Sequence, residues 1–113
     1  MTKHKIVLVP FPFDDLSSKK VRPALCLTEP IGEYRHVVLA FITSKIPDNL
    51  LDSDFVIDAD SDNFALSGLR VSSTVRLHRM MTVTTSFIQR ELGELSEKQQ
   101  EVVKMKLGKL FDV

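Results

Sequence analysis

The chain has no tryptophan, one tyrosine, one cysteine, three histidines and four glycines in 113 residues. Each scarcity removes a class of function. A single cysteine, Cys26, forbids an intrachain disulfide and, with so few histidines, leaves no zinc-ligand spacing. Cys26 lies in the apolar run Ala24-Leu25-Cys26-Leu27 and reads as a small buried hydrophobe, because no basic neighbours stand near it to lower its pKa. The few glycines form no phosphate-binding loop, and no Ser-His-Asp signature is present, so neither a metal nor a nucleotide cofactor is expected. No apolar run is long enough to span a bilayer. The basic start Met1-Thr2-Lys3-His4-Lys5 leads into a stretch broken by Pro10, Pro12, Asp14 and Asp15, which does not fit a secretory leader, so a cytoplasmic location is expected.

Net charge is also missing: fifteen basic and fifteen acidic residues cancel, so binding to a polyanion has to rest on local patches. The charges are segregated along the chain. Lys19, Lys20 and Arg22 cluster early and Arg70, Arg76 and Arg79 later, whereas Asp48, Asp52, Asp54, Asp58, Asp60 and Asp62 fill the middle. The acidic segment lacks the glycine and terminal glutamate of an EF-hand loop and reads as solvated loop and strand.

What is present is apolar: 43% of residues are hydrophobic, which at this length provides one core and predicts a single domain over residues 1–113. Ile6 to Val9, Val21 to Thr28 and Val37 to Ile42 are apolar runs bounded by turn residues and are predicted core strands. Phe55-Val56-Ile57 is a shorter strand candidate and Asp58 to Asn63 a turn. Between the first two strands, Asp14-Asp15-Leu16-Ser17-Ser18-Lys19-Lys20 is a polar surface loop suited to carry function. From Arg70 the chain alternates, with Val71, Ser73, Val75 and Leu77 on one side and Arg70, Ser72, Thr74, Arg76 and His78 on the other. The second side is a candidate phosphate-binding stripe or simply a solvated face. Thr84 to Ile88 suggests a helical turn ahead of a strand through Glu91 to Leu95. Ser96-Glu97-Lys98-Gln99 fits a capping box, followed by Val103, Leu107, Leu110 and Phe111 at helical spacing, a helix predicted to pack on the sheet.

Two short segments, Val21-Arg22-Pro23-Ala24-Leu25 and Phe41-Ile42-Thr43-Ser44-Lys45, place an arginine and hydroxyls where strands run into loops. With Ile6 to Phe13 before them and Leu69-Arg70-Val71 through Leu77 behind, they resemble the PemK/MazF toxins over about Lys5 to Phe111. The resemblance implies a mainly β fold, a small SH3-like β-barrel with a C-terminal helix. It also implies a metal-independent endoribonuclease that cuts single-stranded RNA, a homodimer, and inhibition by a cognate antitoxin protein. Arg22 matches the arginine of the family's Arg-Pro motif and Thr43 the hydroxyl of its Ile-Thr motif, so these two are the expected catalytic residues. An always-charged guanidinium forms a two-point fork with phosphate oxygens, and a hydroxyl can donate to phosphate or fix ribose.

The expected substrate contacts are Asp14, Asp15, Lys19, Lys20, Ser44, Arg70, Thr74, Arg76 and His78. For the general base, His78 and the aspartates Asp14 and Asp15 compete with His36 at a strand start and His4 in a terminal tail expected to be mobile. The sequence departs from the family where His4-Lys5 stands for an opening Gly-Asp and where Ser17 to Lys20 stands for a glycine-rich loop. The rival readings are a gyrase-binding inhibitor of the related CcdB type and a family member that only binds RNA or antitoxin.

Overall fold

The computed structural model describes residues 1–10 and 20–113. Its elements are β1 (Lys5–Pro10), β2 (Val21–Cys26), β3 (His36–Thr43), β4 (Asp54–Ile57), α1 (Phe64–Ser67), β5 (Ser73–Thr84), a 3-10 turn at Thr85–Phe87, β6 (Arg90–Glu94) and α2 (Glu97–Phe111). The six strands form one antiparallel sheet in the order β4-β5-β3-β2-β1-β6, curled into a half-barrel.

The apolar runs are unbroken because the sheet is covered on both faces. Ile6, Leu25, Ala40, Ile42, Val75 and Leu77 point to one face, where Val103 of α2 seals them and Leu107 packs alongside. Val7, Val9, Ala24, Cys26, Val37 and Leu39 point to the other, under Val83, Phe87 and Ile88 from the end of β5 and the turn after it. Helix α2 begins as its sequence predicts: Gln99 N donates to Ser96 Oγ at 3.2 Å, and Ser96 N donates to Gln99 Oε1 at 2.9 Å. Its expected stripe is shorter than the spacing suggested, since Leu110 and Phe111 remain exposed.

Three expectations change. The N-terminal segment is fastened: His4 N donates to the Cys26 carbonyl at 2.8 Å and Leu95 N donates to the His4 carbonyl at 3.0 Å. Glu29 Oε1 accepts from Thr2 N at 2.7 Å and from Lys3 N at 3.3 Å. The acidic middle is only partly solvated, because Asp54 is buried and its carboxylate receives Arg76.

The alternation read from Arg70 also fails. β5 starts at Ser73, and its register on β3 slips between the pairs Phe41 with Arg76 and Ala40 with Met80. Leu77, His78 and Arg79 therefore have no opposite residue on β3, and Leu77 N donates instead to the Ser53 carbonyl at 3.0 Å. Such a bulge turns side chains off the two-residue period.

No β4–β6 pairing closes the barrel. Instead α1 and the turn after it lie against β6. A Cβ on Gly68 would strike the Leu92 carbonyl, and one on Gly93 would strike the backbone of Leu66 and Ser67. Gly68 also holds φ +71, a left-handed conformation that glycine adopts without steric cost. No described helix is long and apolar enough to cross a membrane.

A candidate RNA-binding cleft at the strand ends

β1 and β3 end, and β2, β5 and β6 begin, at one rim of the half-barrel. A cleft of about 580 Å³ opens there. Being at the strand ends, it draws side chains from both faces of the sheet. Leu8, Pro23, Ile42, Leu69 and Leu92 give it an apolar floor, while Arg22, Thr43, Ser44, Lys45, Arg70, Arg76, Arg79 and Arg90 bring polar groups. Six of its described lining residues are cationic and none is acidic.

Local sequence explains the placement of the central pair. The β2–β3 ladder aligns Ala24 with Phe41, and two residues further along each antiparallel strand are Arg22 and Thr43. By register they fall across from each other just past the end of the ladder, and both line the cleft. Pro23 fixes its own φ and restricts Arg22 to extended backbone, so the arginine emerges from β2 on a stiff stem. Thr43 Oγ1 accepts a hydrogen bond from Lys45 N at 3.2 Å, which turns the chain out of β3 and leaves the hydroxyl hydrogen available to an external acceptor.

Of the expected contacts, Ser44, Arg70 and Arg76 join Arg22 and Thr43 in the cleft. Arg76 is shared with the protein interior, since its Nε lies 2.9 Å from Asp54 Oδ1 and its Nη2 3.4 Å from Oδ2. Thr74 is fully buried, paired in the sheet between Thr43 and Val56, and is not part of the cleft wall. His78 also lies apart; its Nδ1 is 2.8 Å from Ser53 Oγ. Lys20 is exposed just before β2 but is not among the lining residues. Asp14, Asp15 and Lys19 lie outside the described residues. His36 is exposed beside the Tyr34 ring and is remote from the lining set.

Lys45, Arg79 and Arg90 are cleft residues beyond the expected set. Arg79 reaches the cleft together with Arg76 because of the β5 bulge, a three-residue separation that an alternating strand would send to opposite faces. Arg90 arrives through the pairing of β6 with β1, where it stands opposite Leu8. Lys45 directly follows the Thr43-Ser44 pair, and its proximity to that motif was the only available signal. Among the described residues, Arg22, Lys45, Arg70, Arg79 and Arg90 have no ion-pair partner, and no group of three or more His, Cys, Asp or Glu is arranged to hold a metal.

No curated protein matches the chain. Among solved structures, a Mycobacterium tuberculosis toxin, MazF-mt6, superposes with a TM-score of 0.73 over 96% of this chain and 97% of its own, at 23% identity. A mycobacterial endoribonuclease in complex with its cognate antitoxin superposes at 0.72 over 100% and 96%, at 11% identity. A third, described as a Mycobacterium tuberculosis toxin, gives 0.62 over 78% and 90%, at 24% identity. These likenesses establish the fold. The family model for the PemK-like, MazF-like toxin of type II toxin-antitoxin systems matches residues 2–111, and to that family the chain belongs.

Proposed function

We propose that the protein is an endoribonuclease toxin that cleaves single-stranded RNA in the cleft at the strand ends. The observation that carries this reading is the position of Arg22 across from Thr43 in a cleft whose described lining has six cations and no carboxylate. Such a surface attracts a polyanion and repels nothing in it. The apolar floor suits unstacked bases, which duplexes do not present.

In the proposed reaction the substrate's 2′-oxygen attacks the adjacent phosphorus and the bond to the 5′-oxygen breaks, giving a 2′,3′-cyclic phosphate and a 5′-hydroxyl. The Arg22 fork neutralises the charge that builds on the equatorial oxygens, and the Thr43 hydroxyl donates to one of them or to the ribose. The proton of the 2′-hydroxyl passes to a base and the 5′-oxygen takes one up. No described lining residue is a histidine or carboxylate; of the candidates for the base, His78 lies apart from the cleft, and Asp14 and Asp15 lie outside the described residues. The residues supply orientation, charge and proton transfer, so no metal is required.

By the same reading two copies pair to lengthen the groove, and an acidic, flexible antitoxin segment occupies it in place of RNA, in the cytoplasm. The neighbour solved with its cognate antitoxin supports the partner class. The test is to incubate the purified protein with a long single-stranded RNA in EDTA and map the ends. Cyclic phosphates and 5′-hydroxyls at discrete sites are expected, and intact RNA would reject the reading. Arg22→Ala should lower the rate about 10²–10³-fold, as loss of one charge-stabilising donor does. Arg22→Lys should not restore it.

A further inference from the structure

Thr74 Oγ1 is the buried side-chain oxygen without a hydrogen-bond partner among the described residues, and its residue is 0% exposed. A hydroxyl held that way destabilises the fold relative to one that is bonded. Valine would fill the same shape without that cost. The orphan is not at a random place: Thr74 is directly opposite Thr43 in the β3–β5 ladder.

Directly opposed residues of an antiparallel pair point to the same face with Cβ atoms about 4.5–5.5 Å apart, so two threonine hydroxyls turned toward each other come within hydrogen-bond reach. Thr43 Oγ1 has two lone pairs and is using one, on the Lys45 amide at 3.2 Å. We propose that Thr74 is a positioning residue for Thr43. With RNA in the cleft, the Thr74 hydroxyl donates to the second lone pair of Thr43 Oγ1. Held by two donors, Thr43 has one direction left for its own hydrogen, outward to the substrate. A hydroxyl that accepts is also a stronger donor, because successive hydrogen bonds polarise one another. The orphaned state of Thr74 in the free protein is thus the resting half of a relay completed by substrate. No covalent bond changes at Thr74.

The proposal rests on reading the cleft as a ribonuclease site. Four proteins test it: the parent, Thr74→Val, Thr43→Val and the double variant, each measured for kcat and KM on a single-stranded RNA and for thermal melting. Thr74→Val is expected to melt at or above the parent, since it removes an unsatisfied group. Its kcat is expected to fall roughly tenfold, the size of one hydrogen bond, with KM nearly unchanged. Thr74→Ser should keep parental kcat. In the Thr43→Val background, adding Thr74→Val should change nothing further.

A parental kcat in Thr74→Val, while Thr43→Val is slow, overturns the relay and leaves the ribonuclease reading standing. A double variant slower than Thr43→Val by the full single-variant factor shows Thr74 acting apart from Thr43 and overturns it too. Melting of Thr74→Val well below the parent would make the hydroxyl structural and has the same consequence. If the parent does not cleave, or Thr43→Val cleaves at the parental rate, the reading of the cleft fails and the relay falls with it.

Discussion

Arg76 holds Asp54 through two nitrogens, at 2.9 and 3.4 Å, and the carboxylate it holds is completely buried while the arginine is 25% exposed. The second carboxylate oxygen also accepts from Leu51 N at 2.9 Å. One cation of the cleft is therefore a structural tie that joins the start of β4 to β5, and its neighbours in the same cleft have no ion-pair partner among the described residues.

Arg76→Ala should unfold the protein more easily, by about 3 kcal/mol, because a buried carboxylate left without its partner is the costly half of a broken ion pair. Urea denaturation followed by circular dichroism measures it. Asp54→Asn with Arg76 intact should cost less, since the buried charge is removed along with the attraction. Equal stability of Arg76→Ala and the parent would show that Asp54 finds a substitute partner.

Arg79→Ala and Arg90→Ala should behave in the opposite way. Both residues are exposed, and neither has a described ion-pair partner, so melting should stay near the parent while RNA binding weakens. For single strands the log–log salt slope should flatten by about 0.7 for each phosphate contact removed. Fluorescence anisotropy with a short labelled RNA at several salt concentrations reads both quantities. An unchanged slope for Arg90→Ala would take β6 out of the substrate path.

The N-terminal fastening should loosen in acid. Hydrogen bonds from the backbone of Thr2, then that of Lys3, together with nearby positive charge, hold the Glu29 carboxyl below its ordinary range. Burial, and then the charge of Lys3, lowers the His4 imidazole below its ordinary value. The unfolded chain binds the proton more readily at both groups, so each contribution is present near neutral pH and is lost as pH falls. His4 acts first, below about 6.5, and Glu29 follows in the carboxylate range. The protection factors of the Lys5 and Leu95 amides, measured by NMR exchange and corrected for the slower intrinsic exchange in acid, should fall from pH 7 to pH 4. Uniform protection over that range would mean that neither group is coupled to the strand.

Cys26 should be inert in the native protein. Burial pushes its thiol up to about 11, with the charges of Glu91 and Glu29 adding to the effect. At neutral pH almost no thiolate is present to react. A disulfide-exchange reagent should label Cys26 only after denaturant unfolds the sheet. Stoichiometric labelling at pH 7.5 without denaturant would show the second core cluster opening on the timescale of the assay.

The sequence made the strands, the capped helix and the central pair legible, because each depends on neighbours close in the chain. Ile6 to Val9 and Val37 to Ile42 read as strands through their own apolar runs, and Ser96 with Gln99 as a cap through a three-residue spacing. Arg22 and Thr43 came from short motifs at strand ends. Arg90 was not legible, since only the pairing of β6 with β1 brings it to the cleft. Thr74 and His78 were read from an alternation that the β5 bulge interrupts, and burial, a tertiary property, separates Thr74 from the solvent-facing side chains it was grouped with. The tie between Asp54 and Arg76 was hidden for the same reason: nothing within either residue's own strand announces the other.

The glycine contact between α1 and β6 has a consequence for the shape of the cleft. Gly68 and Leu92 belong both to that contact and to the cleft lining. The clasp that keeps the half-barrel curled is thus set into its mouth, as the buckle of a hoop lies on the hoop itself. Girth there is fixed by two backbones meeting without side chains between them, a distance that no rotamer change can adjust. A methyl group at Gly93, which is not itself a lining residue, would act as a shim and change the bore of the opening.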